Sequence, residues 1–344
     1  MVKGALFKKS LRDMQKSKSQ FISIFIMATL AVFIMTGLDS IWYTVDKHAD
    51  AMYESTNLSD LWITVMNPSE QQLWGVSRID GVDLVEKRFT IDADTDLPGD
   101  PVLHVYALDD RSTLDQPELE EGMFRKGGGG VVLDSKFAEV HKLKLGDYIS
   151  IKINGKWLRL QVDGLALSSE HVFAVKNSAS ITPNPSEYGF AIVSTGALES
   201  AYGQKVYNQI SVKTTSDIDS AQVVQKAGEV VGDEMIGITL QKDSSSVSSV
   251  NSRIQQFKTL SVVFPMLFLL VTALITQSTM TRMIENQRSQ IGILKALGYS
   301  KHSILWHYTS YGIIVGVLGS IFGLLTGPNI FGRIMVLQLN LTLN

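Results

Sequence analysis

The 344-residue chain contains no cysteine. Disulfides, thiolate metal sites and cysteine nucleophiles are excluded, and any folded part outside the cytoplasm must be held by its own core. No G-x-x-x-x-G-K-[ST] phosphate loop occurs, so ATP hydrolysis, if used, belongs to another subunit, and the chain is not read as an enzyme. The six histidines (48, 104, 141, 171, 302, 307) form no H-E-x-x-H and no ligand-spaced cluster, and neither a metal nor a cofactor is expected. Charged residues make up only 19% of the chain against 45% apolar ones, a balance that fits a mixed membrane and soluble protein.

The scarcity of charge is local. Residues 21–38, 260–280 and 304–330 contain no Asp, Glu, Lys or Arg. Each run is long enough to cross a bilayer as a helix, the first with help from Ile41, Trp42 and Tyr43 at the interface. A cleaved signal peptide is the competing reading of the first run. The only A-x-A match, 49–51, lies well past the apolar segment, which favours a retained anchor. Between the runs the balance reverses: residues 39–258 hold 20 Lys/Arg against 32 Asp/Glu. That acidic middle offers no electrostatic footprint for nucleic acid. Asp92-x-Asp94-x-Asp96 begins like a calcium loop, but Leu97 replaces its glycine and Leu103 its final glutamate, so a solvated acidic loop is expected.

Basic residues near span ends set orientation. Residues 1–20 carry six Lys/Arg and one acid, Asp13; residues 282–301 carry Arg282, Arg288, Lys295 and Lys301 against Glu285. Both segments are expected in the cytoplasm. The expected order is a basic amino terminus (1–20), a span (21–43), an extracytoplasmic α+β domain (44–257), a span (258–281), a cytoplasmic segment (282–303), a span (304–332) and an external end (333–344). Within the external domain, strand patterns fall at 61–66, 84–91 and 102–108, and helical patterns at 71–79, 135–141 and 216–232. The tetraglycine 127–130 reads as a break, and Asn154-Gly155 as a hairpin turn inside a β-rich subdomain, 126–182. Residues 190–193 and 209–213 are expected to return as strands of the first subdomain, and the Ser-rich 244–252 to serve as a linker. The third span carries Gly312, Gly316, Gly319, Gly323 and Gly327, at spacings that line small residues along a helix face. Packing within the chain and contact with a second copy both remain open for that face.

The segment after the second span is the most specific. Ile291, Leu294 and Leu297 recur at helical spacing, Gly298 stops the helix and Ser300 can cap the next one. The run ENQRSQIGILKALGYS, residues 285–300, resembles the cytoplasmic segment of FtsX-like (MacB-type) ABC transporter permeases. Weaker phrases, NLSDL at 57–61 and LKLGD at 143–147, extend the resemblance to the larger Gram-positive members. The resemblance implies a transmembrane helical bundle with an external α+β domain like the MacB periplasmic core, in the plasma membrane. It also implies a cytoplasmic ATPase partner, a second permease unit, and a coupling contact through Glu285, Arg288, Ile291, Gly292, Leu294, Lys295, Leu297 and Gly298. Members have four spans, so a fourth is expected beyond this sequence or on a separate polypeptide. The alternative is a membrane-anchored binding or regulatory module for a cell-wall enzyme, lipoprotein or peptide; no external ligand can be named.

Overall fold

The computed structural model describes residues 18–109, 111–125, 129–172, 183–215 and 220–343. The chain divides into two compact units, residues 1–46 with 253–344 and residues 47–252.

Three long helices dominate the first unit: α1 (Lys18–Ser55), α6 (Ser245–Asn286) and α8 (Lys301–Leu343), with a short α7 (Arg288–Ala296) before the last. All three are long and apolar enough to cross a membrane. They outrun the apolar segments that the sequence marks. Residues 39–55 contain neither Gly nor Pro, so nothing stops α1 until Asn57, which takes a left-handed conformation (φ 48°). The Leu58 N–H then closes back on the Tyr53 carbonyl at 2.9 Å. Of the Ser-rich stretch 244–252, expected as a linker, residues 245–252 form the first two turns of α6. Serine disfavours helix interiors only mildly, and Val247 and Val250 are buried there.

The second unit begins with a four-stranded sheet. Strands β1 (Leu61–Val65), β2 (Val82–Thr95), β9 (Gln209–Thr214) and β10 (Met235–Leu240) lie in the order β10-β1-β9-β2, every pair antiparallel. Helices α2 (Glu70–Ser77) and α5 (Ser220–Val231) connect β1 to β2 and β9 to β10, a split β-α-β arrangement. The alternation of LWITV explains the layering. Leu61, Ile63 and Val65 join Val76, Ile210, Val212, Val223 and Ala227 in one core. Trp62 points to the other face and packs on Leu58, Val247 and Tyr53.

At Phe89, strand β2 leaves β9 and enters a second β system. Its partners are β3 (Val102–Leu108), β5 (Gly130–Asp134), β6 (Tyr148–Ile153), β7 (Lys156–Leu167) and β8 (Tyr188–Ser194). The pairings β2–β3–β8–β5–β7–β6–β2 close a ring, with β4 (Glu118–Gly122) flanking β7. Helices α3 (Ser135–Val140) and α4 (Thr195–Tyr202) pack on it, and Leu103, Val105, Leu133, Phe137, Ile151 and Val193 fill its core. Asn154 and Gly155 both have positive φ, 51° and 73°, as the hairpin between β6 and β7 requires.

Two expectations are corrected here. Strand β8, expected in the first sheet, sits between β3 and β5 in the ring. It is parallel to β3 and buried along its whole length, a register that local patterning does not reveal. Residues Asp92, Asp94 and Asp96 do not form an acidic loop: the first two belong to β2, whose alternation puts them on one outer side. Among the described residues, no cluster of His, Asp and Glu could hold a metal. The tetraglycine 127–130 and the helical pattern 216–232 each fall partly outside the described residues, at 127–128 and 216–219.

Candidate functional site

The chain turns twice between α6 and α8. Helix α6 ends at Asn286, and Gln287 breaks the helical path (φ −104°, ψ 15°) before α7 starts. The Gln287 carboxamide oxygen accepts the Tyr308 hydroxyl at 2.8 Å, tying this corner to the start of α8. At the other end Gly298 adopts φ 89°, and the Tyr299 N–H reaches back to the Leu294 carbonyl at 3.1 Å. Ser300 then caps α8, its hydroxyl accepting the Ser303 N–H at 3.2 Å.

This geometry divides the expected contact residues. Ile291 and Leu294, with Tyr299, pack on a cluster of Phe21, Ile24, Met283, Ile304, Tyr308 and Tyr311. Glu285, Arg288, Gly292, Lys295 and Gly298 face away from it. So do two large apolar side chains, Leu297 at 70% exposure and Ile293 at 58%. Glu285 forms no ion pair with Arg282 or Arg288 among the described residues. The result is an exposed apolar pair at a helix that also exposes Arg288 and Lys295 and is braced from behind by Ile291 and Leu294.

The α8 glycines also separate. A Cβ on Gly319 would stand 2.9 Å from the Phe25 carbonyl oxygen, and one on Gly323 would stand 2.6 Å from that of Thr29. One on Gly327 would stand 2.7 Å from the Phe33 carbonyl oxygen. These three let α8 lie backbone-to-backbone on α1. Gly312 faces Thr276 of α6 instead, and Gly316 faces open space.

Residues 262–343, which contain α7 and all of α8, match the family described as FtsX-like permease C-terminal. This segment is similar to FtsX-like permease domains. Over 208 residues the chain is 22% identical to an uncharacterized ABC transporter permease protein of Mycobacterium tuberculosis; the match takes in 60% of this chain and 22% of that protein. The chain therefore spans about a fifth of the length of this curated relative. Among solved structures, it is similar to the extracellular domain of the noncanonic ABC-type transporter YknZ from Gram-positive bacteria. That likeness has 15% identity, 53% of this chain, 99% of that one and a TM-score of 0.35. It is also similar to the periplasmic region of MacB from Actinobacillus actinomycetemcomitans, with 11% identity, 57% of this chain, 92% of that one and a TM-score of 0.34.

Outside the matched segment, the second unit holds a polar junction that sequence reasoning missed. Arg88 is buried on β2. Its guanidinium donates twice to Glu170, at 2.6 and 2.7 Å, and once to Gln209 at 2.6 Å, and it lies 3.1 Å from Asp115. Asp115 also accepts the Ser59 N–H at 2.7 Å, its hydroxyl at 2.9 Å, the Ser211 hydroxyl at 3.0 Å and the Trp62 indole N–H at 3.1 Å. Two segments of the second β system are thereby fastened to the turn that follows α1. Burial works against the Arg88 charge, but Glu170 and Asp115 outweigh it and raise its pKa. Burial pushes the Glu170 carboxyl up, with Arg88 pulling it back. Burial also holds the His171 imidazole well below its ordinary value, so it stays neutral. Its Nδ1 meets the Tyr106 hydroxyl at 2.8 Å. These residues lie far apart in sequence, and only a buried arginine pattern on β2 could have hinted at them.

Proposed function

We propose that this chain is the permease unit of an ABC transporter complex, with its large domain outside the cell and residues 282–303 in the cytoplasm. A partner ATPase docks on α7. ATP-driven closure of that partner tilts α6 and α8, and the external domain changes posture in response. A second permease unit completes the assembly. The observation that carries this reading is the outward pair Ile293 and Leu297, exposed at a helix that also exposes Arg288 and Lys295 and whose other face is anchored by Ile291 and Leu294. Interfaces concentrate their energy in a few apolar anchors within a polar rim, and this surface has that composition. The FtsX-like match and the absence of a phosphate loop agree with ATP hydrolysis in another chain.

The test is capture of co-expressed candidate ABC ATPase subunits by the detergent-solubilised chain. Ile293→Asp with Leu297→Asp is expected to abolish capture while the permease stays folded. Leu294→Asp instead lowers the thermal stability of the helical unit, because Leu294 packs on its cluster. Capture that survives the double outward substitution sinks the proposed contact.

A further inference from the structure

The chain passes twice between the four-stranded sheet and the ring. Strand β2 crosses at residues 88–89, leaving β9 for β3. Residues 203–208, which lead from α4 to β9, make the return crossing. The two crossings lie side by side. The Asn208 N–H donates to the Arg88 carbonyl at 3.1 Å, and the Asn208 carboxamide pairs with the Thr90 backbone at 2.8 and 2.7 Å. Among the described residues, the ring core around Leu103, Leu133 and Val193 and the sheet core around Leu61, Ile63 and Val212 share no member. Away from the crossings, polar groups make the join. Two ring segments, 112–116 and 168–171, reach the turn after α1. The Asp115 and Gln116 N–H groups donate to the Asn57 and Thr56 carbonyls at 3.1 and 2.8 Å. The Thr56 hydroxyl donates to the Met52 carbonyl in the last turn of α1 at 2.7 Å and lies 2.9 Å from the Ser169 hydroxyl. The Thr113 N–H and hydroxyl donate to Glu86 of β2 at 2.8 and 2.7 Å. Arg88, on the sheet side of the crossing, holds Asp115 and Glu170 of the same two segments.

We propose that the ring is a body that swings on the paired crossings, and that the Arg88–Asp115–Glu170 junction is the latch holding it against the turn after α1. Polar contacts suit a latch. On opening, water takes the place of each lost partner, so the net worth of each hydrogen bond is small. An apolar join would resist in proportion to the area it exposed. Closed, the latch is still specific, because a half-formed set of contacts leaves buried charge unsatisfied. The half of the latch that stays with the sheet includes Thr56 and Ser59, which follow directly on α1. A displacement of that helix end therefore bears on the latch first. The proposal goes beyond the coupling contact on α7 and does not depend on it.

The test uses the full chain in nanodiscs, with no ATPase present. Amide hydrogen exchange compares the latch with the strands. The Ser59, Asp115 and Gln116 amides are expected to exchange at least roughly tenfold faster than those of β3, β8 and β9, because the latch opens while both cores stay folded. Glu170→Gln should speed the latch amides about tenfold more and leave the strands unchanged. Nitroxide labels on Glu139→Cys in the ring and Lys226→Cys on α5, both exposed positions, read the swing. They should give one distance in the otherwise unaltered chain and a second one when Glu170→Gln is added. Latch amides that exchange no faster than the strands overturn the proposal, since the junction then opens only with global unfolding; this comparison needs no folded variant. Equal acceleration of latch and strands by Glu170→Gln also overturns it, as does a label distance that Glu170→Gln leaves unchanged.

Discussion

Asp115 shows how much depends on a single buried carboxylate. Five donors converge on it, and Arg88 cannot reach water if it is removed. Asp115→Ala is expected to cost on the order of 3 kcal/mol, because the buried donors of Ser59, Trp62 and Ser211 lose their acceptor and Arg88 keeps only Glu170 as its carboxylate partner. Lys87→Ala, which removes the exposed pair with Glu70, should cost less than about 1 kcal/mol. Denaturant unfolding of both variants checks the contrast. Asp134 supplies a pH dependence of known sign. It caps α3, and burial pushes its carboxyl from near 3.8 up to about 6, against the backbone N–H groups of Lys136 and Phe137. The folded chain keeps a proton there that the unfolded chain releases. That contribution is complete below the unfolded value and is lost as pH rises through about 6. Relative to Asp134→Asn, the parent chain should lose ~3 kcal/mol at most between about pH 4 and pH 7, read as the difference in unfolding midpoints.

At the scale of elements, α8 resolves the question that its glycine spacing raised. A four-residue repeat tells that a close approach is possible, but not which neighbour makes it. Gly323→Ala puts a methyl against the Thr29 carbonyl and the Phe33 N–H, and should cost roughly 1–3 kcal/mol in the solubilised protein. Gly316→Ala points into open space and should stay within about 0.5 kcal/mol. Thermal unfolding in one detergent compares the pair. Helix α7 makes the same point in another way. Its periodicity was legible, yet the choice of Leu294 as inward and Leu297 as outward depends on the cluster around Tyr308 and Tyr311.

For the whole molecule the decisive quantity is orientation. The basic residues at 1–20 and 282–301 flank an acidic stretch, and lysine and arginine near span ends carry the orientation signal. A cysteine-free chain makes the test direct. Ser245→Cys should react with a membrane-impermeant maleimide in intact cells, and Ser300→Cys only after lysis. Both serines are exposed, so access depends on the side of the membrane. Labelling of Ser300→Cys in intact cells inverts the topology and takes α7 out of reach of any cytoplasmic ATPase.

The sequence by itself determined the features that depend on local chemistry. Uncharged runs mark the spanning helices because a bilayer tolerates little else. Gly298 and Ser300 mark the turn because only certain residues satisfy helix ends. Asn154-Gly155 marks the hairpin because its turn requires positive φ twice. The tertiary structure alone decided what depends on distant partners. The parallel seat of β8 between β3 and β5 was decided there, as was the extension of α6 back through its serines. So was the meeting of Arg88, Asp115 and Glu170. Charge burial is a property of the completed fold: those three residues read as ordinary surface charges until the strands and turns around them exclude water.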